Sequence, residues 1–305
     1  MNDPILPSWR KGDARAAILA FLDRIDGIPP AERVAVFDND GTLMCEKPTY
    51  AQLEFMLDEL QQAIAVDPSL ADRDEFHALV TGDRAAQAEL GLERIAGALV
   101  SLFDGLTPEE FDARVSRFFA EARHPERGVP FRQMRYQPML ELIAELRSRG
   151  FGVSVVTGGG AEFVRTISHD FYGVDPEGVV GSQIDYEVEA GRGGAIRLVR
   201  TGALVGAGAN EGPAKPPNIQ RILGRRPVVA GGNSAGDAEM LDYAMSYEGP
   251  SLALLVDHDD GDREYAYASE AATFTSQETI LETASRRGWT VVSMRDDWST
   301  VFADG

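Results

Sequence analysis

The chain has 305 residues, 44% of them hydrophobic and 26% charged, and carries a formal net charge of −20 at pH 7. This composition is typical of a soluble globular protein with a substantial core, and no apolar run approaches the ~18 residues of a membrane span. Nucleic-acid affinity depends largely on Lys and Arg neutralising phosphates, so the acidic balance argues against a nucleic-acid partner. The amino-terminal stretch MNDPILPSWRKGD lacks the pattern of a secretory signal, and we expect a cytoplasmic protein with no membrane partner.

Cysteine and histidine content restricts the metal chemistry. Cys45 is the single cysteine, which excludes an intrachain disulfide, and the four histidines are not spaced like the ligands of a structural zinc site. Any metal would therefore be held by oxygen ligands.

The first elements in chain order are a helix, a strand and a long helical stretch. Residues 14–26 have apolar side chains at helical spacing, and Val34–Phe37 is a short apolar run typical of a buried parallel strand. The polar segment Asp38-Asn39-Asp40-Gly41-Thr42 follows it. Residues 49–123 read as helical throughout, and Thr107 with Glu110 forms a capping box before one of these helices.

Strands and helices then alternate. We predict a helix over residues 139–150, a strand over 151–156, a loop over 157–160 and a helix from Ala161. Residues 179–200 suggest a β-hairpin, and further buried strands are expected at 227–230, 252–256 and 290–294. The predicted fold is α/β, a Rossmann-like three-layer core with a mainly parallel sheet, formed by residues 1–45 and 128–305, with an inserted helical cap domain at 46–127.

Four polar clusters lie beside predicted strand or helix ends, and each alone is weak evidence of function. They are Asp38 with Asp40, Thr157-Gly158-Gly159, Lys215-Pro216, and the segment 232–237 that contains Asn233 and Asp237. In order and residue type they resemble the four motifs of the haloacid dehalogenase-like superfamily, in particular its phosphoserine-phosphatase-like branch. This resemblance covers nearly the whole chain and implies phosphoryl-transfer chemistry.

The resemblance gives the two aspartates of the first cluster separate roles. Asp38 would attack phosphorus and form an aspartyl-phosphate, and Asp40 would protonate the leaving alcohol and then activate water. Dehalogenases of the superfamily need no such acid, so Asp40 favours a phosphatase. The alternative is that this segment is only a polar turn closing a strand.

The second and third clusters supply candidates for binding phosphate. Thr157, Gly158 and Gly159 could offer a hydroxyl and backbone N–H groups, with the following helix adding its positive end. Lys215 would contribute a positive charge, an assignment that rests on the resemblance. The alternatives are a ligand-free glycine-rich connection and a solvated lysine.

The resemblance also implies Mg²⁺, held by Asp38, the Asp40 carbonyl, Asn233 and Asp237. Asn233 departs from the family pattern, which has an acidic residue there; an amide oxygen can bind Mg²⁺ but brings no charge, so metal affinity could fall. Whether Asp237 contacts the ion directly or through water stays open at this point.

Glu46 is a candidate for selecting substrate, because in phosphoserine phosphatases an acidic residue near this position binds the ammonium group of the substrate. An ordinary surface glutamate is the alternative. The predicted activity is Mg²⁺-dependent hydrolysis of a small phosphorylated metabolite, a phosphate monoester. Two other functions stay open: a non-catalytic phosphometabolite sensor, and a phosphotransferase that passes the phosphoryl group to an alcohol.

Overall fold

The computed structural model describes residues 5–206, 208–269 and 278–304. Within these ranges, six strands form one sheet in the order β3-β2-β1-β6-β7-β8, with every neighbouring pair parallel. The strands of this sheet are β1 Val34–Phe37, β2 Gly152–Gly160, β3 Val179–Ser182, β6 Val229–Gly232, β7 Leu252–Asp257 and β8 Thr290–Ser293.

The sheet separates two apolar cores, because successive side chains of a strand point to opposite faces. On β1, Ala35 and Phe37 belong to the larger core and Val34 and Val36 to the smaller one. All four are buried, as expected for a parallel strand covered on both faces. This arrangement confirms the predicted Rossmann-like three-layer core.

Helices cover both faces of the sheet. None of the helices in the described ranges combines the length and the apolar character that crossing a membrane would require. The helices outside the insertion are α1 Asp13–Leu22, α7 Gln137–Ser148, α8 Ala161–Tyr172, α9 Lys215–Leu223, α10 Ala238–Met245, α11 Ile280–Arg287 and α12 Met294–Asp297.

A helical insertion separates β1 from β2, as the sequence predicts, and Thr107 and Glu110 form the predicted capping box at the start of its last helix. Phe55 joins this insertion to the core, because its ring packs against Phe103 and Phe111 of the insertion and Phe163 of α8. The domain limits at 45/46 and 127/128 stay predictions. The helices of the insertion are α2 Ala51–Val66, α3 Asp74–Val80, α4 Arg84–Leu90, α5 Leu92–Val100 and α6 Pro108–Glu121.

Two local predictions need correction. The segment 157–160, predicted as a loop, continues strand β2, which pairs with β3 as far as Gly160 and Ser182 after a register irregularity. The hairpin predicted over 179–200 starts later, because Val179–Ser182 is the edge strand of the main sheet. The hairpin itself consists of β4 Ile184–Ala190 and β5 Ile196–Leu204, which pair antiparallel.

Candidate active site

Three of the four predicted clusters lie at the carboxyl edge of neighbouring strands. Asp38 follows β1, Thr157 lies near the end of β2, and Asn233 follows β6. The strand order reverses between β1 and β6, and open parallel sheets bind ligands in the crevice at such a reversal. The order of the strands therefore brings Asp38 and Asn233 to the same crevice, although they lie 195 positions apart in the sequence.

A tight turn carries Asp38 and Asp40 over this crevice. The backbone N–H of Asp38 donates to the carbonyl of Gly231 in β6, at 2.9 Å, which fixes the start of the turn. Gly41 has φ +78°, and a Cβ on it would lie 2.1 Å from Nδ2 of Asn233. Position 41 therefore needs glycine for both its backbone conformation and this close approach.

Lys215, the first residue of α9, brings the third cluster into the same site. Its buried ammonium donates to Oδ1 of Asp38 at 2.7 Å, Oδ1 of Asp237 at 2.5 Å and the carbonyl of Val156 at 3.1 Å. Burial alone would lower the pKa of Lys215, but the carboxylates of Asp237 and Asp38 outweigh it and raise this pKa. Lys215 is therefore a fixed cation beside Asp38.

Both carboxylate oxygens of Asp237 already accept hydrogen bonds. Oδ1 accepts from Lys215, and Oδ2 accepts from the backbone N–H groups of Asn233 at 2.9 Å and Ser234 at 3.0 Å. These bonds hold the turn after β6 against α9. They favour a positioning role for Asp237, and its direct contact with a metal stays a prediction.

The two aspartates of the turn have raised pKa values. Burial raises the pKa of Asp38 well above its usual range; Lys215 opposes this shift, and the charges of Asp237 and Asp40 add to it. Burial also raises the pKa of Asp40 to about 6, with a hydrogen bond from the Asn39 side chain acting in the opposite direction. Asp40 can therefore hold a proton near neutral pH, as a general acid must.

Thr157 and the glycines after it form the other wall of the crevice. The hydroxyl oxygen of Thr157 accepts from the backbone N–H of Gly159 at 2.9 Å. A Cβ on Gly158 would lie 2.7 Å from the Glu211 side chain, and one on Gly159 would lie 2.7 Å from Oε1 of Gln52. The neighbouring side chains thus leave little room for a side chain at either position, which favours glycine at both.

The donor groups of the turn and of Asn233 suit Mg²⁺. Within the described ranges, no group of three or more His, Cys, Asp or Glu side chains is arranged to hold a metal ion. The predicted set includes a carbonyl and an amide as well as the carboxylates of Asp38 and Asp237, all hard oxygen donors of the kind Mg²⁺ binds. The turn and Asn233 converge, since Oγ1 of Thr42 lies 3.3 Å from Oδ1 of Asn233. The residues present therefore fit the ion.

Glu46, predicted to read the substrate, reaches the same crevice. Its Oε1 accepts from Nδ2 of Asn233 at 3.3 Å. Its charge also contributes to the raised pKa of Asp40 after burial. Glu46 is thus part of the site, while its contact with substrate stays a prediction.

Two residues that were not predicted from the sequence, His258 and Tyr172, form hydrogen bonds with the turn. Nε2 of His258 lies 2.8 Å from the carbonyl oxygen of Gly41, and Nδ1 lies 3.3 Å from Glu264. Tyr172, at the end of α8, donates from its hydroxyl to Oδ1 of Asn39 at 2.8 Å. His258 directly follows β7, so the rule that singled out Asp38 and Asn233 could have found it.

The helical insertion covers the crevice through its first helix. Gln52 of α2 accepts a hydrogen bond at Oε1 from the backbone N–H of Gly160, at 2.8 Å. Asp38 is only 8% exposed and Lys215 only 2%. Bulk water therefore has little access to these two residues.

A family model for haloacid dehalogenase-like hydrolases matches residues 35–242. A protein of unknown function from Bordetella pertussis Tohama I has a similar structure, with a TM-score of 0.54 and 17% identity, covering 86% of this chain and 98% of that one. A functionally unknown protein from Anaerococcus prevotii DSM 20548 has a TM-score of 0.54 and 13% identity, covering 95% and 94%. A probable phosphoserine phosphatase from Vibrio cholerae has a TM-score of 0.43 and 18% identity, covering 92% and 69%. No curated protein matches the sequence.

Proposed function

The chain belongs to the haloacid dehalogenase-like hydrolase family, and from this premise we propose that it is a phosphatase that hydrolyses a small phosphate monoester through an aspartyl-phosphate on Asp38. The observation that carries the proposal is the position of Lys215, whose ammonium lies 2.7 Å from Oδ1 of Asp38. A fixed cation at this place neutralises a phosphoryl group as it approaches the carboxylate.

Asp38 serves as the nucleophile. Its carboxylate oxygen forms a bond to phosphorus while the bond from phosphorus to the ester oxygen breaks. Lys215 stabilises the negative charge on the transferring group and opposes the rise in the pKa of Asp38 that burial causes. Thr157 and the backbone of Gly158 and Gly159 would hold phosphoryl oxygens.

Asp40 serves as the acid in the first step and the base in the second. With a pKa of about 6, it can give its proton to the leaving alcohol oxygen. The resulting carboxylate then accepts a proton from the water that attacks the aspartyl-phosphate, which returns Asp38 as a free carboxylate. One group can do both because the first step leaves it in the form that the second requires.

Mg²⁺, when bound by Asp38, the Asp40 carbonyl and Asn233, would supply further positive charge to the phosphoryl oxygens. The insertion contributes by covering the crevice, with Gln52 bonded to Gly160. We propose that it acts as a cap, which opens for substrate and closes to exclude water. The burial of Asp38 and Lys215 favours a small metabolite over a macromolecular substrate.

The proposal is tested with a panel of phosphorylated metabolites, measuring phosphate release with Mg²⁺ and with EDTA. Wild-type protein should release phosphate from at least one small monoester only when Mg²⁺ is present, and Asp38→Asn should lose this activity. The matched control is Asp72→Asn, at an exposed position of the insertion. Full turnover by Asp38→Asn would contradict the proposal. Transfer to an added alcohol acceptor, measured alongside, separates a phosphatase from a phosphotransferase.

A further inference from the structure

Position 233 carries an amide where the family pattern has a carboxylate, and a second carboxylate lies directly against this amide. Oε1 of Glu46 is 3.3 Å from Nδ2 of Asn233. The space between them exists because position 41 is glycine: a Cβ there would lie 2.1 Å from Nδ2 of Asn233 and 3.0 Å from Oε1 of Glu46. The turn is thus shaped to let the two side chains meet.

The two ends of the Asn233 amide have different neighbours. Nδ2 faces the carboxylate of Glu46, which can only accept, and Oδ1 lies 3.3 Å from the Thr42 hydroxyl, which can donate. Turning the amide over would set its oxygen against the Glu46 oxygen. Because Asn233 is 2% exposed, no water would compensate for that contact. Glu46 therefore determines which atom of the amide is free to face a cation.

We propose that Glu46 is a positioning residue for the metal site: it orients the Asn233 amide and supplies, from outside the ligand set, the negative charge that Asn233 lacks. The inference rests on the proposed function, because it concerns the Mg²⁺ site of the same reaction. Metal ligands are commonly oriented by hydrogen-bonded neighbours whose loss weakens metal affinity.

This role differs from binding the ammonium group of a substrate, which is the function that the family resemblance implies for Glu46. A residue that reads substrate changes KM for amine-bearing substrates and leaves metal affinity unchanged. A residue that positions Asn233 changes metal affinity when no substrate is present. Binding of Mg²⁺ alone therefore separates the two roles.

The experiment exchanges charge between the two positions. Four proteins are compared: wild type, Glu46→Gln, Asn233→Asp, and the double variant, which has the same total charge as wild type. Mg²⁺ binding is measured by titration calorimetry without substrate, and the rise in Tm on adding Mg²⁺ is a second readout of the same binding. Glu89→Gln, at an exposed position of α4, controls for the loss of one negative charge.

Glu46→Gln should bind Mg²⁺ about 10- to 100-fold more weakly than wild type, while Glu89→Gln should bind it normally. In Asn233→Asp two carboxylates face each other, so this variant should be less stable in EDTA and should gain more in Tm from Mg²⁺. The double variant should return close to wild-type affinity. If Glu46→Gln does not fold, Asn233→Asp alone still tests the inference, because a Tm in EDTA and a gain in Tm from Mg²⁺ equal to those of wild type would contradict it.

The inference would be wrong if Glu46→Gln bound Mg²⁺ as tightly as wild type does. It would also be wrong if Asn233→Asp changed the Mg²⁺ affinity by the same factor in the presence and in the absence of Glu46. A wild-type protein that binds no Mg²⁺ would also overturn it. If Glu46 and Asn233 affected Mg²⁺ binding as expected, but the wild-type protein hydrolysed no phosphate monoester, only the proposed function would be refuted. The two failures are therefore distinguishable.

Discussion

The ammonium nitrogen of Lys215 lies 2.7 Å from Oδ1 of Asp38, although 177 positions separate the two residues in the sequence. The same ammonium bonds Asp237, so one cation holds two buried carboxylates. Breaking a buried ion pair by removing one partner is costly, since the remaining charges lose their compensation. This contact therefore links the stability of the core to the chemistry of the crevice.

Lys215→Met tests that link. It leaves Asp38 and Asp237 buried without their cation, and we expect the free energy of unfolding at pH 7 to fall by about 3–5 kcal/mol. The loss should shrink in acid, where Asp38, whose pKa is raised by burial, becomes protonated. Urea unfolding measures it, with Lys11→Met, at an exposed position, as the control. Equal stability of the Lys215→Met and Lys11→Met variants would contradict the prediction.

The raised pKa of Asp40 predicts a pH dependence of stability in EDTA. The pKa is about 6 in the folded protein and about 3.9 in an unfolded chain. The folded state thus binds the proton more tightly, and the Asp40 contribution to stability falls as pH rises from about 4 through 6. Asp40→Asn has no titratable group at position 40, so its stability should not show this fall with rising pH.

Relative to wild type, Asp40→Asn should therefore gain stability between pH 4 and pH 6, by up to about 3 kcal/mol. The stabilities of the two proteins should differ least at the acid end of this pH range. The measurement is urea unfolding at several pH values, with Asp72→Asn as the control. Parallel curves for wild type and Asp40→Asn would show that Asp40 has no raised pKa.

The junction between insertion and core depends on Phe55, whose buried ring contacts Phe103, Phe111, Phe118 and Phe163. Phe55→Ala should lower the free energy of unfolding by about 3–5 kcal/mol, because it leaves a cavity among these rings. Val66→Ala, on the same helix but 87% exposed, should have almost no effect. Chemical denaturation compares them, and a small effect at Phe55 would mean that this junction is loosely packed.

His258 supports the turn at residues 38–42 through the carbonyl of Gly41. His258→Phe removes this bond and leaves Glu264 without its imidazole partner, so we expect a loss of about 1–3 kcal/mol in stability. Turnover should fall as well, because the turn that carries Asp40 loses its support. His169→Phe, at an exposed histidine, is the control. Unchanged stability and turnover in His258→Phe would exclude this role.

Sequence patterns predicted the parts of the fold that depend on local properties. The buried run of β1, the helical insertion and the Thr107–Glu110 capping box are local signals, and the structure has all three. Strand ends were also informative, since polar residues after β1 and β6 indicated the crevice. The irregular pairing of β2 with β3, and the edge position of β3 itself, depend on neighbouring strands and were mispredicted.

Side-chain partnerships within the site were beyond prediction from the sequence for the same physical reason. Gln52 and Tyr172 meet the crevice only because α2 and α8 pack over it, and nothing in their local sequence indicates this. Glu46 could be singled out by its nearness to Asp40 along the chain. Its contact with Asn233, 187 positions away, required the folded turn.

In the proposed reaction Asp38 carries the phosphoryl group, and trapping that group tests this role most directly. Para-nitrophenyl phosphate is suitable, because its leaving group needs no proton from Asp40. Asp40→Asn should then still form the aspartyl-phosphate but hydrolyse it slowly. Acid quenching followed by peptide mass spectrometry should find one phosphoryl group on Asp38 in Asp40→Asn, and none in Asp38→Asn. Continued turnover with no phosphoryl group on Asp38, or with one on another residue, would contradict the account.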